Sequence, residues 1–558
     1  MLTFYKEERL KETPIGKIPE DWKVIRLGDV AKIRRGASPR PKGDPRYFGG
    51  NIPWIKISDL TKYKKGFYLL KTDDTVTEEG KKKSVYLEDG SLIVSNSGTI
   101  GEPAIIKTGK GGCIHDGFIS VNPTTNVDKY FLYYFFDFKK SGFQLMAQRG
   151  TQGNMNTNIW RSVKIPLPPL EEQKAIAQIL STVEEAIRKT NEIIAKTKRL
   201  KKGLVQELLT RGFTVGFMFD TNIFDEILDG KVELPENLRY YVTHLQRDEI
   251  LDMPEHERER KEKLLKIFNV VQEEIIPTEG FVVGVSRLNL AKLMSREDSE
   301  LYNKMFERLT KLDKEAGKLK SPENRAKDIL IALTCLKNCL TLVTNDNNLK
   351  KVAQEFQCPV ITFKQLLNGE YREFKDTEIG RIPKEWKVVK VGNILSLEYG
   401  KGLPERERVP GRYPVVGSNG IVGYHDRALV KGPGIVVGRK GTIGAVSWID
   451  SDFWPIDTTY YVKPKISNIS LKWLYYELIY LNPARFRLAD VVPGLKRELV
   501  YSLKMSLPPL PEQQKIAEIL STVDRKLEVE RKRKEKLERI KKGLMDLLLT
   551  GRVRVKVG

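Results

Sequence analysis

The chain has 558 residues, 40% of them apolar, which is too long for one hydrophobic core and fits about three to five folded domains. Its formal net charge of +23 points to a polyanionic partner, nucleic acid foremost; a surface of interspersed Lys and Glu would not leave so large an excess of one sign. No stretch approaches the roughly 18–20 apolar residues of a membrane span, and four histidines argue against a His-rich metal centre or a His-based triad.

The N-terminal residues MLTFYKEERLKE are charged from Lys6 and lack the apolar stretch of a signal peptide, so a cytoplasmic location is expected. Residues 13–24 then read TPIGKIPEDWKV. A globular segment to residue 166 follows, rich in short β-like runs broken by Gly and Pro. Two of its loops mix bases with amides and hydroxyls. One holds Arg34, Arg35, Arg40 and Lys42; the other holds Arg149, Thr151, Gln152 and Asn154. Arg and Lys suit phosphates and guanine edges, and Asn and Gln suit adenine. Between them Gly98-Thr99-Ile100-Gly101 ends an apolar strand, a turn whose amides can receive phosphate oxygens. A plain hairpin turn is the competing reading.

Next comes LPPLEEQKAIAQILSTV at 167–183, running into LKKGLVQELLT at 200–210. Pro168-Pro169 precede apolar residues spaced at three and four, with acids in the first turn and Lys201-Lys202 near the end. These are the marks of one amphipathic helix. About 40 residues make a rod of roughly 60 Å, which needs a partner for its apolar stripe.

Residues 213–370 change character. By count, residues 215–369 carry about 23 basic and 26 acidic side chains, so the rest of the chain holds about +26. Their order reads α/β, with VGFMFDTNIF and CLTLVTNDNN as strands that end on acids. Cys335 and Cys339, one helical turn apart, read as a buried structural pair; Cys113 and Cys358 stand alone.

Then the chain repeats itself. Residues 377–388 read TEIGRIPKEWKV, 507–523 read LPPLPEQQKIAEILSTV, and 540–550 read IKKGLMDLLLT. The segment 371–506 carries Gly441-Thr442-Ile443-Gly444 beside Arg439-Lys440, and Lys496-Arg497 near its end; we take Arg439, Lys440, Thr442, Lys496 and Arg497 as DNA-facing with Thr99. Two copies of one unit predict two similar working surfaces. The second rod, 507–558, is the economical partner for the first, 167–212, as an antiparallel coiled coil.

The TxIGxIPxxW opening, the LPPLxEQxxIAxIL hinge and the LKKGLxxxLLT helix end, each present twice, resemble the specificity subunit of a type I restriction-modification system. The resemblance spans about 400 residues. It implies two target-recognition domains (1–166 and 371–506), each of mixed α/β structure and reading half of a split double-stranded DNA site. The helices between them would be spacers that also dock modification and restriction subunits. S-adenosylmethionine and ATP would belong to those partners, with no cofactor needed for recognition itself. In agreement, the chain holds no Asn/Asp-Pro-Pro-Tyr/Phe methyltransferase motif and no G-x4-G-K-[ST] phosphate loop.

The segment 213–370 departs from that family. It resembles a PIN domain, a small metal-dependent nuclease with a parallel sheet. The resemblance places acidic positions at Asp220, Glu249, Asp328 and Asp346, with Asp220, Asp328 and Asp346 as ligands for Mg2+ or Mn2+ and Thr344 and Asn222 supporting them. The competing reading makes Asp220 and Asp346 helix caps or turn residues. The leading expectation is a DNA-specificity subunit. The alternative is a metal-dependent nuclease delivered to DNA by the repeated frame.

Overall fold

The computed structural model describes residues 3–148, 155–213, 216–230, 232–235, 238–271, 274–287, 289–486 and 494–556. It divides into two compact units: residues 1–198 with 526–558, and residues 199–525.

In the first unit a six-stranded sheet runs in the order Ala31–Arg35, Phe118–Pro123, Leu92–Ser95, Pro103–Ile106, Tyr68–Leu69, Lys64–Lys65. A second sheet pairs Val85–Leu87, Gly112–Ile114, Phe48–Ile55 and Asp74–Val76. Helix Lys129–Gln148 supplies Phe131, Leu132, Tyr134, Phe135 and Phe136 to the core. The recognition domain of the second unit has the same plan with fewer strands. Its sheet orders Leu395–Tyr399, Thr459–Pro464, Gly434–Gly438 and Val446–Ile449, matching the first four strands above. Helix Leu471–Leu481 takes the place of Lys129–Gln148. The hairpin Lys64–Leu69, present only in the first unit, accounts for part of that domain's greater length.

The two long helices are Leu170–Thr210 and Leu510–Leu549, where the apolar spacing and the Pro-Pro pairs put them. Each begins with Glu-Gln, and the structure gives both residues work. Gln173 Nε2 donates to the Pro168 carbonyl (2.8 Å) while its Oε1 accepts from Asp128 N. Gln513 does the same with Pro508 (2.9 Å) and Ser470 N. Each glutamate receives an indole N–H, Trp22 on Glu172 (3.2 Å) and Trp386 on Glu512 (2.8 Å).

Each unit packs the start of one long helix beside the end of the other. In the first, Ile176 and Leu180 share a core with Met545, Leu548 and Leu549, and Lys541 pairs with Glu184 at 2.5 Å. In the second, Ile516 and Leu520 share a core with Leu208 and Leu209, and Lys201 pairs with Asp524 at 2.6 Å. Both ion pairs follow one antiparallel register, in which Lys201 corresponds to Lys541 and Asp524 to Glu184.

The helix ends carry Gly212 (φ +75°) and Gly551 (φ +70°) in the left-handed region. A Cβ on Gly212 would lie 2.3 Å from Arg372 Nη1 and 2.4 Å from Glu512 Oε1, so a side chain there would strain the backbone and push on the buried Arg372–Glu512 pair.

After Gly551 the strand Val553–Lys556 pairs antiparallel with Thr3–Lys6, so within the first unit the first and last described strands lie side by side. At the matching place in the second unit, after Gly212, the chain leaves for the insert and returns at Tyr371. The insert is a parallel sheet ordered Glu274–Ile275, Tyr240–Val242, Phe217–Phe219, Thr341–Val343, Val360–Ile361, with helices packed on it. It is therefore built where chain ends can meet without disturbing either sheet of the recognition domain.

Candidate nucleic-acid interface and the carboxylate cluster of the insert

Of the candidate DNA-facing residues of the first domain, Arg34, Arg35, Arg40, Lys42 and Thr99 lie among the described residues. Arg34 and Arg35 close the strand Ala31–Arg35, both exposed, and Arg35 Nε donates to the Asp116 carbonyl at 3.0 Å. Arg40 and Lys42 line a cleft of about 630 Å³ with Ser38, Trp54, Lys56 and His115. Burial holds the His115 imidazole below its usual range, Lys42, Arg40 and Lys56 push it the same way, and Asp116 opposes them. Arg149, Thr151, Gln152 and Asn154 lie outside the described residues.

The Gly turns match in detail. Gly101 N donates to Ser95 O and Gly444 N to Gly438 O, each at 2.8 Å, and Thr99 and Thr442 are both exposed. Beside each turn a second segment docks through one backbone bond: Met155 N to Asn96 O, and Leu495 N to Arg439 O. That bond brings Lys496 and Arg497 next to Arg439 and Lys440, which the sequence left about 57 residues apart.

Sequence reasoning missed Tyr399. Arg439 lies over its ring at 5.2 Å from the centroid and Arg497 at 4.7 Å. A comparison of the two repeats would have exposed it, because Tyr399 falls where the first copy has Arg35.

In the insert, Phe217–Phe219 is the central strand, flanked by strands that follow it and lie on opposite sides, so Asp220 sits at the switch point of the sheet. Asp220 is 2% exposed and accepts from Thr344 Oγ1 at 2.8 Å. Burial raises the Asp220 carboxyl to about 6 despite that bond. Asp328, in helix Pro322–Lys337, is raised to about 8 by burial and then by the Asp220 charge. Glu249, in helix His244–Leu251, accepts from Thr221 Oγ1 and adds to the strain on both. Asn222 lines the open cleft beside Glu249 with Thr221, Asp225 and Asp248.

Glu249, Asp328 and Asp346 therefore lie around Asp220, but Asp220, Asp328 and Asp346 as they stand form no open metal triad. Lys320 Nζ lies 2.7 Å from Asp328 Oδ2 and 2.8 Å from Asp346 Oδ2. Asp346 also takes Lys318 at 2.9 Å and caps helix Asn347–Glu355 through Asn348 N at 2.8 Å. These cations and the cap overcome burial and hold the Asp346 carboxyl well below its usual range. An ammonium stands where a divalent ion would bridge the acids, and both Asp346 oxygens are committed. Among the described residues no three His, Cys, Asp or Glu side chains are disposed to hold an ion. The residues as placed do not fit the metal. All four cysteines are buried, as read for the Cys335–Cys339 pair. No described helix is long and apolar enough to cross a membrane.

The family model described as the type I restriction modification DNA specificity domain matches residues 19–199 and 383–539. Among similar proteins, a putative type I restriction enzyme MjaX specificity subunit from Methanocaldococcus jannaschii is 26% identical over 581 residues, covering 100% of this chain and 99% of that one. The MjaIX specificity subunit from the same organism is 33% identical over 203 residues, 35% of this chain and 46% of its own. The crystal structure of the type I restriction-modification S subunit from M. genitalium aligns with 95% of this chain and 96% of that one, at 14% identity and a TM-score of 0.49.

Proposed function

Because the chain belongs to the type I restriction modification DNA specificity family, we propose that it is the sequence-reading subunit of such a system. It binds double-stranded DNA at a split site in the cytoplasm, one half-site per recognition domain. The observation that carries this reading is the coverage of the family model: it matches both repeated halves and passes over residues 200–382. The repeated Gly turns and the basic residues around them supply phosphate and base contacts, consistent with a frame of about +26.

The long helices pair as an antiparallel coiled coil and act as a spacer between the half-sites, and modification and restriction subunits dock on them. Those partners bring S-adenosylmethionine and ATP. The chain itself supplies neither methyl transfer nor cleavage. Selection from a random duplex library by the purified full chain tests the reading. Two short enriched blocks separated by a constant gap are expected; one contiguous block, or no enrichment, would overturn it.

The insert's parallel sheet, with Asp220 at its switch point and Glu249, Asp328 and Asp346 around it, is what supports a PIN-like reading. That placement favours a second reading, a nuclease delivered by the frame. Lys320 counts against it, and we assign the insert no cleavage step.

A further inference from the structure

We propose that Tyr399, with the guanidiniums of Arg439 and Arg497 against its ring, is the base-reading station of the second recognition domain. This rests on the DNA-binding reading above and deepens it to named residues. Three observations converge on it.

The first is pre-organisation. Arg439 Nε and Nη2 donate to the Asp457 carbonyl at 3.1 and 2.9 Å, and Arg497 Nη1 donates to the Leu397 carbonyl at 3.4 Å. Each guanidinium is anchored by a neutral carbonyl and stacked on one ring, so its direction is fixed while its charge is kept. The ring is 51% exposed and leans on Tyr460, whose hydroxyl donates to Leu495 O at 3.0 Å. Two fixed guanidiniums beside a half-exposed ring complement a surface rich in acceptors, such as the O6 and N7 edge of guanine or a phosphate.

The second is a substitution between the repeats. The strand ends Arg35 and Tyr399 correspond, as do the turn residues Asn96 and Arg439, and the carbonyls of Asp116 and Asp457. In the first domain the guanidinium on that carbonyl comes from Arg35 at 3.0 Å; in the second it comes from Arg439 at 3.1 Å. The same carbonyl holds an arginine in both, delivered from different strands. Where the second domain has Arg439, the first has the buried Asn96, whose Oδ1 has no partner among the described residues.

The third separates reading from positioning. Of the residues identical in the two copies, Trp22, Trp386 and the Glu-Gln pairs are buried and hold the fold, while the Gly-Thr-Ile-Gly turn exposes Thr99 and Thr442. Contacts common to both halves suit the phosphate backbone, which is the same at every site. The two halves of a split target differ in bases, so the residues that read them must differ too. Positions 35/399 and 96/439 differ while neighbouring backbone bonds match, Asn96 N to Gly117 O as Arg439 N to Thr458 O, and Gly36 N to Phe118 O as Gly400 N to Thr459 O, which assigns the differing side chains to base edges.

The test is library selection by the full chain with Tyr399→Ala, Arg439→Ala and, as a control, Thr99→Ala. Tyr399 and Arg439 are at the surface, and unchanged melting would show that the variants fold. Relaxation of the same one or two base positions within a single half-site, with the other half-site unaltered, is expected from both Tyr399→Ala and Arg439→Ala. Each wrong base then costs the wild type about 5–150-fold in affinity and the variants far less. Half-sites unchanged while affinity falls evenly across sequences would make the station a phosphate clamp and overturn the proposal. Failure of the wild type to enrich any sequence would instead overturn the DNA-binding reading beneath it.

Discussion

Arg372 lays its two terminal nitrogens 2.8 Å from the two carboxylate oxygens of Glu512, 140 residues away, and its guanidinium lies 5.7 Å from the Trp386 ring. In the other unit Arg554 grips Glu172 in the same two-pronged way through Nε (2.7 Å) and Nη2 (2.8 Å), with its guanidinium 5.6 Å from the Trp22 ring. Arg554 comes from the chain's last strand; Arg372 comes from the first residues after the insert. The fork therefore closes each recognition domain at its seam, and the insert returns the chain at the point where that closure is made.

Removing one partner of a buried fork leaves the other charge unpaired, which costs about 3–5 kcal/mol. Arg372→Ala should lower the melting temperature of the second unit, exposing Glu512 and Glu385, the latter 2.7 Å from Arg372 Nε. Arg554→Ala should act on the first unit. Calorimetry of both variants and the double variant checks it, and losses should add, because no partner is shared.

Lys320 holds two acids that repel each other's charge. Lys320→Ala should destabilise the insert by about 1–3 kcal/mol, the cost of leaving buried groups unsatisfied. Adding Mn2+ should raise the melting temperature of that variant while leaving the wild type unmoved. A Mn2+-dependent shift in the wild type equal to that of the variant would show that the ammonium yields to the ion.

Glu477 is fully enclosed in the second domain's core, with its Oε2 unpartnered among the described residues, and burial raises its carboxyl to about 8. In the first domain the same helical position is Phe135, next to Tyr134, which bonds Ser181 as Tyr476 bonds Ser521. A carboxyl raised above its unfolded value binds its proton more tightly when folded. Stability is then greatest below pH 4.5 and falls as pH rises to about 8. Glu477→Leu should remove this group's share of the slope, leaving that of Asp220 and Asp328, and stabilise the chain at pH 8 by about 1–3 kcal/mol. Melting curves of the two proteins at pH 5 and pH 8 check it; parallel pH profiles would refute it.

If the long helices set the gap, deleting residues 189–195 together with 530–536 should shorten the spacer between half-sites and leave their sequences alone. Those segments face each other in the register set by Lys541–Glu184. Library selection reads both quantities at once, and altered half-sites would contradict the spacer role.

Much of this was legible in the sequence because the chain states its frame twice. The Pro-Pro hinges, the apolar spacing and the helix ends located Leu170–Thr210 and Leu510–Leu549 closely, since capping and periodicity are local signals. Asp220, Thr344 and Asp346 follow strand ends and were readable for the same reason. Lys320 was not. It precedes helix Pro322–Lys337 in a polar stretch, and only the fold carries it to Asp346, 26 residues on. The Arg372 fork was hidden because the residue that corresponds to Arg554 by spacing is Thr214. The arginine that takes up its role stands on the far side of the insert.

The central claim is that this chain tells a modification enzyme where to act. Mapping methylated adenines across the source genome, with the gene present and deleted, tests it most directly. One motif of two short unlike blocks with a fixed gap, methylated only when the gene is present, is expected. A methylation pattern unchanged by the deletion would contradict it.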